Sequence, residues 1–175
     1  MKLLSLNLQT VRAGDRALSW RKRYEGIAAL LCEQSPDVLC LQEATPEAMA
    51  LLRKALPEYR LLFHGCNSDR CGEGLVFAFR PETAQPLCVI RKWLSDMPDS
   101  AAAARCRAFG LRDMSAESGA TFHGLGVGKP KKLDYIFADA RLAALPYKTK
   151  TISTLRRGMY LSDHDALWLK LPNLT

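Results

Sequence analysis

The chain has no Cys-x-x-Cys pair, although six cysteines stand at positions 32, 40, 66, 71, 88 and 106. That absence removes the common zinc templates; the nearest approach to one, His64-Gly65-Cys66 followed by Cys71, has a spacing that fits none of them. Cys32, Cys40 and Cys88 lie in apolar segments and are expected to act as small core residues. No apolar run approaches membrane-spanning length. There is no internal repeat and no low-complexity linker, and 175 residues suit one domain with a sizeable core better than two. The start also lacks a continuous apolar block: Met1-Lys2-Leu3-Leu4-Ser5-Leu6-Asn7 alternates, which reads as a strand rather than a signal peptide and makes a cytoplasmic location the expectation.

What is present is ordinary in bulk. Hydrophobic and charged fractions of 48% and 25% make a folded chain the default. The net charge of +7 favours anionic partners such as phosphates or nucleic acid, because a positive field raises their local concentration. The positive residues are scattered, with groups at Arg21-Lys22-Arg23, Lys129 to Lys132 and Arg156-Arg157, and solvated faces explain such groups as well.

Periodicity interleaves helices and strands. After a polar loop over Val11 to Ser19, Trp20, Tyr24, Ile27 and Leu31 recur at helical spacing, with Arg21, Lys22, Glu25 and Glu33 on the other side, and Ser35-Pro36 ends the helix. Val38 to Gln42 suits a strand buried on both faces. Glu43 then stands at its C-terminal end, where α/β proteins build sites and where oxygen ligands suit a hard cation; capping of the next helix, opened by Thr45 and Pro46, is the alternative. That helix, Pro46 to Leu56, turns Met49, Leu52 and Leu56 inward. Strands are expected at Tyr59 to Phe63, Leu75 to Phe79, Leu87 to Leu94 and Tyr147 to Ile152, and a short helix at Ser100 to Phe109.

Two stretches place charge where a fold normally avoids it. Over Lys132-Leu133-Asp134-Tyr135-Ile136-Phe137, period-two alternation points Asp134 into the face shared by Ile136 and Ala138, so the carboxylate needs a partner. Leu161-Ser162-Asp163-His164-Asp165 precedes the alternating run Ala166 to Leu171 and reads as the loop feeding a last strand, from which Asp163 and His164 face one cleft. A His held protonated by a buried Asp stabilises negative charge or moves a proton. A capping Ser-Asp turn with a solvent-facing His is the alternative.

An Asp-Tyr-Ile-Phe strand followed about thirty residues later by Ser-Asp-His resembles the C-terminal signature of the endonuclease/exonuclease/phosphatase superfamily. Leu4-Ser5-Leu6-Asn7 resembles its first strand, and Pro36-Asp37-Val38-Leu39-Cys40-Leu41-Gln42-Glu43 resembles its Leu-Gln-Glu strand. The resemblance implies an α/β fold, a two-sheet β-sandwich flanked by helices, spanning 1–175 as a single domain. It implies a metal-dependent phosphoesterase, a phosphodiester hydrolase or nuclease, acting on a phosphate ester or nucleic acid. Glu43 with Asn7 would hold Mg²⁺ or Mn²⁺, His164 held by Asp134 would donate to a phosphoryl oxygen, and Asp163 would assist the metal or the leaving group. Thr121-Phe122-His123-Gly124 resembles a loop near the site in many relatives, which makes His123 a substrate contact.

The middle departs from the pattern. Trp93-Leu94-Ser95-Asp96 resembles the family segment before its central strands, and Met97-Pro98-Asp99-Ser100-Ala101 the segment after its Gly-Asp-x-Asn motif, as if the fold were truncated in the middle by an internal deletion near 95–99. No Gly-Asp-x-Asn occurs in the chain, nor does the family's Thr-His strand. The resemblance assigns to the missing positions the Asp that activates water, an Asn on the phosphate and a His that contacts it; Asp96, Asp99 and Asp113 are the acids nearby. Impaired turnover is therefore expected, along with self-association through exposed sheet edges. The alternatives are an inactive module that binds nucleic acid or phosphorylated ligands, and a non-functional gene fragment.

Overall fold

The computed structural model describes residues 1–10, 19–66, 72–86, 106–127 and 129–172. The expected loop at 11–18, the strand at 87–94, the junction at 95–99 with Asp96 and Asp99, the expected helix up to residue 105, and Cys71 and Cys88 lie outside these residues.

The centre is β1 (Lys2–Asn7), whose alternation sends Leu4 and Leu6 to one face, with Leu8 following. β2 (Val38–Ala44) runs parallel to it on one side and β10 (Ala166–Lys170) antiparallel on the other. β4 (Gly74–Phe79) and β3 (Arg60–Gly65) extend the sheet beyond β2, and β7 (Lys148–Ile152) closes the opposite edge, giving the order β3-β4-β2-β1-β10-β7. Each element begins within two residues of its sequence expectation.

Helices α1 (Trp20–Gln34) and α2 (Pro46–Ala55) cover one face. α2 starts where its residues dictate: the Thr45 hydroxyl accepts from the Ala48 N–H at 3.2 Å, Pro46 follows, and Arg53 and Lys54 occupy the last turn. Met49, Leu52 and Leu56 are buried as expected, each worth about 2 kcal/mol of transfer free energy. α1 ends at Ser35, which takes a left-handed backbone before Pro36.

The other face carries a second layer over β1 and β10. There β5 (Arg112–Asp113) pairs with β6 (Phe137–Ala138), and α3 (Ala140–Ala143) follows, capped by Asp139. Met114, Ile136 and Ala138 close against Leu167, Leu169 and Leu171. The fold is thus the expected α/β sandwich with helices outside, its second β layer reduced to a two-stranded ribbon among the described residues. A short hairpin, β8 (Leu155–Arg156) and β9 (Met159–Tyr160), turns through Arg157 and Gly158, both at positive φ as such tight turns require.

Some expectations fail. Cys32 is exposed rather than a core residue, because it falls on the outer side of α1. The stripe of α1 includes Arg23, which is fully buried, while Tyr24 packs only partly. The expected strand over Lys132 to Phe137 joins a ladder only at Phe137–Ala138. No helix of the described residues is long and apolar enough to cross a membrane.

Candidate active site

Glu43 owes its direction to an irregularity in β2. The pairing of β2 with β4 shifts between Leu41 and Ala44, and Glu43 takes a left-handed backbone with φ 54°. A bulge re-aims a side chain at a strand end, and the left-handed backbone of a non-glycine costs about 1 kcal/mol or more, so the surroundings must hold it. They do so through the loop after β1. Asn7 Nδ2 donates to Glu43 Oε1 at 2.8 Å, the Thr10 N–H to Oε2 at 2.7 Å, and the Thr10 hydroxyl to the Glu43 carbonyl at 2.9 Å. The carboxylate therefore faces Asn7, and capping of α2 falls to Thr45 instead.

Asn7 is also joined to the C-terminal loop. Ser162, fully buried, donates from its hydroxyl to the Asn7 carbonyl at 2.6 Å, and accepts from the His164 N–H at 3.2 Å. His164 is 8% exposed, which rules out the solvent-facing alternative. Its Nδ1 lies 2.7 Å from Asp134 Oδ2, the contact that the inward carboxylate called for. Burial alone pushes the imidazole pKa down, but the hydrogen bond and charge of Asp134, with the fields of Asp163 and Glu43, more than offset it and hold the pKa above its ordinary value. Asp163 Oδ1 lies 3.5 Å from the Ser162 hydroxyl that also meets the Asn7 carbonyl.

Asp134 is held by hydroxyls rather than by a strand partner. Thr121 Oγ1 accepts from the Leu133 and Asp134 N–H groups at 3.2 and 3.1 Å, and Ser115 Oγ accepts from Ile136 N–H at 3.1 Å. Two buried hydroxyls thus stand in for ladder carbonyls, and alternation read from the sequence gave no sign of them.

His123 lies on the flank of this loop. Its N–H donates to the Asp163 carbonyl at 3.0 Å, its ring stacks on Tyr160 at 4.3 Å between centroids, and its Nε2 is 3.4 Å from Asp165 Oδ1. Both ring nitrogens are buried and lack a hydrogen bond. Asp113 stands apart: its carboxylate accepts from the Ser115 N–H and hydroxyl at 2.9 and 2.6 Å and neighbours Arg107 and Lys132 at 3.5 and 3.9 Å, so it is committed to the ribbon.

Sequence reasoning missed Arg23. Beneath the site it donates to the carbonyls of Leu8, Gln9 and Leu161. Burial lowers its pKa and the charges of Asp163 and Glu43 oppose that. Its trace in the sequence is a basic residue at helical spacing between Trp20 and Ile27 on the apolar stripe, a pattern that a solvated face also gives.

The donor set suits a hard cation. The Glu43 carboxylate accepts one hydrogen bond on each oxygen, from Asn7 Nδ2 and the Thr10 N–H, Asn7 Oδ1 accepts from the Gln9 N–H at 2.8 Å, and the buried amide oxygens of Gln9 and Gln42 have no hydrogen-bond partner. Among the described residues no group of three or more His, Cys, Asp or Glu side chains is placed to hold a metal ion. One carboxylate beside an amide is compatible with Mg²⁺, which keeps several waters and takes one or two carboxylates.

Comparison with known proteins bears on the fold and the family. No curated protein matches the chain. Among solved structures, an endonuclease/exonuclease/phosphatase from Bacteroides vulgatus is similar with a TM-score of 0.79 at 16% identity, over 98% of both chains. A mannosyl-6-phosphatase from Bacteroides thetaiotaomicron gives 0.74 at 16% identity over 98% of this chain and 99% of that one. D. rerio TDP2, complexed with single-strand DNA product, gives 0.69 at 15% identity over 97% and 98%. At such identities the likeness concerns the fold. The Endonuclease/Exonuclease/phosphatase family model matches residues 4–116, which include the Glu43 strand, and the chain belongs to that family.

Proposed function

We propose that this chain is a metal-dependent phosphoesterase that cleaves phosphate esters, phosphodiesters of nucleic acid among them, at the site joining Asn7, Glu43, Asp134, Asp163 and His164, and that its turnover is slow. The observation that carries the reading is the 2.7 Å Asp134–His164 contact, set in a loop that Ser162 ties to Asn7. A mannosyl-6-phosphatase and a protein complexed with a DNA product among the similar folds support the phosphate-ester class.

In this reading Asp134 fixes Nδ1 of His164 and keeps the ring protonated, so that Nε2 donates to a non-bridging phosphoryl oxygen as charge grows there. Glu43 and Asn7 hold one Mg²⁺ or Mn²⁺, which when bound supplies neutralisation of the same charge. Asp163 sits in the same field and orients water or the leaving group. His123 supports the Asp163 peptide, and substrate contact through it would use the ring face, its nitrogens being buried.

Slow turnover follows from the absent Gly-Asp-x-Asn. Residues 1–175 form a single domain from which the family's central segment has been excised near 95–99. Without the positioned base, about two to four orders of magnitude in rate are lost. Asp113, engaged by Ser115, Arg107 and Lys132, does not replace it. A cytoplasmic setting is part of this reading.

A panel of phosphodiesters and phosphomonoesters assayed with and without Mg²⁺ or Mn²⁺ tests the proposal. EDTA and Glu43→Gln are expected to abolish cleavage together. Salt-sensitive binding of nucleic acid with no hydrolysis at any metal concentration, unchanged by Glu43→Gln, would establish a binding module instead.

A further inference from the structure

We infer that Arg23 is a positioning residue, a buried guanidinium that locks the two halves of the site into register; the inference rests on the phosphoesterase reading above. The side chain is fully buried on α1, where a cation costs several kcal/mol unless its donors are used. They are used on both halves at once. One terminal nitrogen donates to the Leu8 carbonyl at 2.8 Å and to the Leu161 carbonyl at 2.5 Å; the other donates to the Gln9 carbonyl at 2.8 Å.

The placement of those carbonyls gives the clamp its meaning. Leu8 and Gln9 lie between Asn7 and Thr10, the two residues that hold the Glu43 carboxylate. Leu161 immediately precedes Ser162-Asp163-His164. Gln9 has a left-handed backbone, φ 57°, an uncommon conformation for a residue with a side chain, and its carbonyl is one of those held. One turn along α1, a Cβ on Gly26 would stand 2.5 Å from Leu161 Cδ2, so the helix already rests on the segment that Arg23 grips. The Trp20 ring lies 5.8 Å from the guanidinium and closes the remaining side. Glu43 and Asp163 both attract it, one from each half.

A planar fork reaches three carbonyls in fixed directions, which a lysine ammonium cannot reproduce. Fully buried, Arg23 does not meet substrate. It acts through the peptides on either side of Asn7 and Ser162, and so sets the distance between the Glu43–Asn7 pair and His164.

The test compares full-length wild type with Arg23→Lys and Arg23→Met. Amide hydrogen exchange is expected to rise in residues 8–10 and 161–164 together in both variants, with other strands unchanged. Mn²⁺ binding, followed by electron paramagnetic resonance, is expected to weaken about ten- to hundredfold, as for other groups that orient metal ligands. Turnover should fall by a similar factor through kcat with KM within about threefold, and lysine should not rescue it. If Arg23→Met does not fold, Arg23→Lys alone decides. Wild-type protection of either segment in Arg23→Lys, or unchanged Mn²⁺ affinity in a protein that binds Mn²⁺ as wild type, would overturn the clamp. If wild type neither binds Mn²⁺ nor cleaves any ester, the phosphoesterase reading fails; paired exchange would still support the clamp, and its absence would overturn it.

Discussion

At the scale of single residues, the Asp134–His164 pair makes a claim about pH. The folded pKa of His164 is raised, so the stability that the pair contributes is fully present below the unfolded imidazole value of about 6.5 and is lost as pH rises through the higher folded value. Asp134→Asn should therefore cost about 2 kcal/mol near pH 6 and progressively less at alkaline pH, measured by urea denaturation across the pH range. A cost that grows with pH would contradict the assignment of a protonated, Asp-bound ring. Cysteines give a second check. Burial pushes the Cys40 thiol up to about 11, whereas Cys32 and Cys66 are exposed. Alkylation at pH 8 with peptide mapping should modify Cys32 and Cys66 well before Cys40. Asp134 was legible from alternation alone, because one carboxylate among apolar neighbours asks for a partner. Arg23 was not, because a cation inside an apolar stripe looks like a solvated face until the carbonyls it meets, from residues 8, 9 and 161, are known.

At the scale of elements, the bulge of β2 and the hydroxyl-held Asp134 segment carry the site. Gly74 pairs with Ala44 at that bulge, and a Cβ there would lie 2.1 Å from the His64 carbonyl oxygen, a backbone atom that cannot step aside. Gly74→Ala should cost about 3 kcal/mol, read from the denaturation midpoint, with no comparable loss for alanine at the open Gly119. Gly119→Ala does carry its own backbone strain, of order 1 kcal/mol, since its φ is positive. Thr121→Val removes the acceptor of two N–H groups beside Asp134; a loss of about 2 kcal/mol and a fall in turnover larger than that of an equally destabilised core variant are expected. Periodicity placed the six strands of the central sheet and both long helices within a residue or two, since burial decides those patterns. The bulge left no such trace, for it depends on the Asn7 and Thr10 groups that meet Glu43 across the sheet.

At the scale of the whole molecule, the sheet face away from the helices is covered over β1 and β10 but leaves Leu75 54% and Leu62 40% exposed on β4 and β3. The β7 edge, by contrast, carries Lys148 and Lys150, a composition that discourages strand pairing. We expect concentration-dependent association by sedimentation velocity, relieved by Leu62→Lys with Leu75→Lys; a monomer at all concentrations would remove that expectation. The central claim is that Glu43 and His164 serve one metal-dependent cleavage. It is tested most directly by single-turnover hydrolysis of an activated phosphodiester by the purified chain at excess Mn²⁺, for wild type and His164→Ala. Slow cleavage that stops on adding EDTA and falls at least about a hundredfold in His164→Ala is the predicted result. Cleavage that persists in EDTA, or that His164→Ala leaves unchanged, would contradict it.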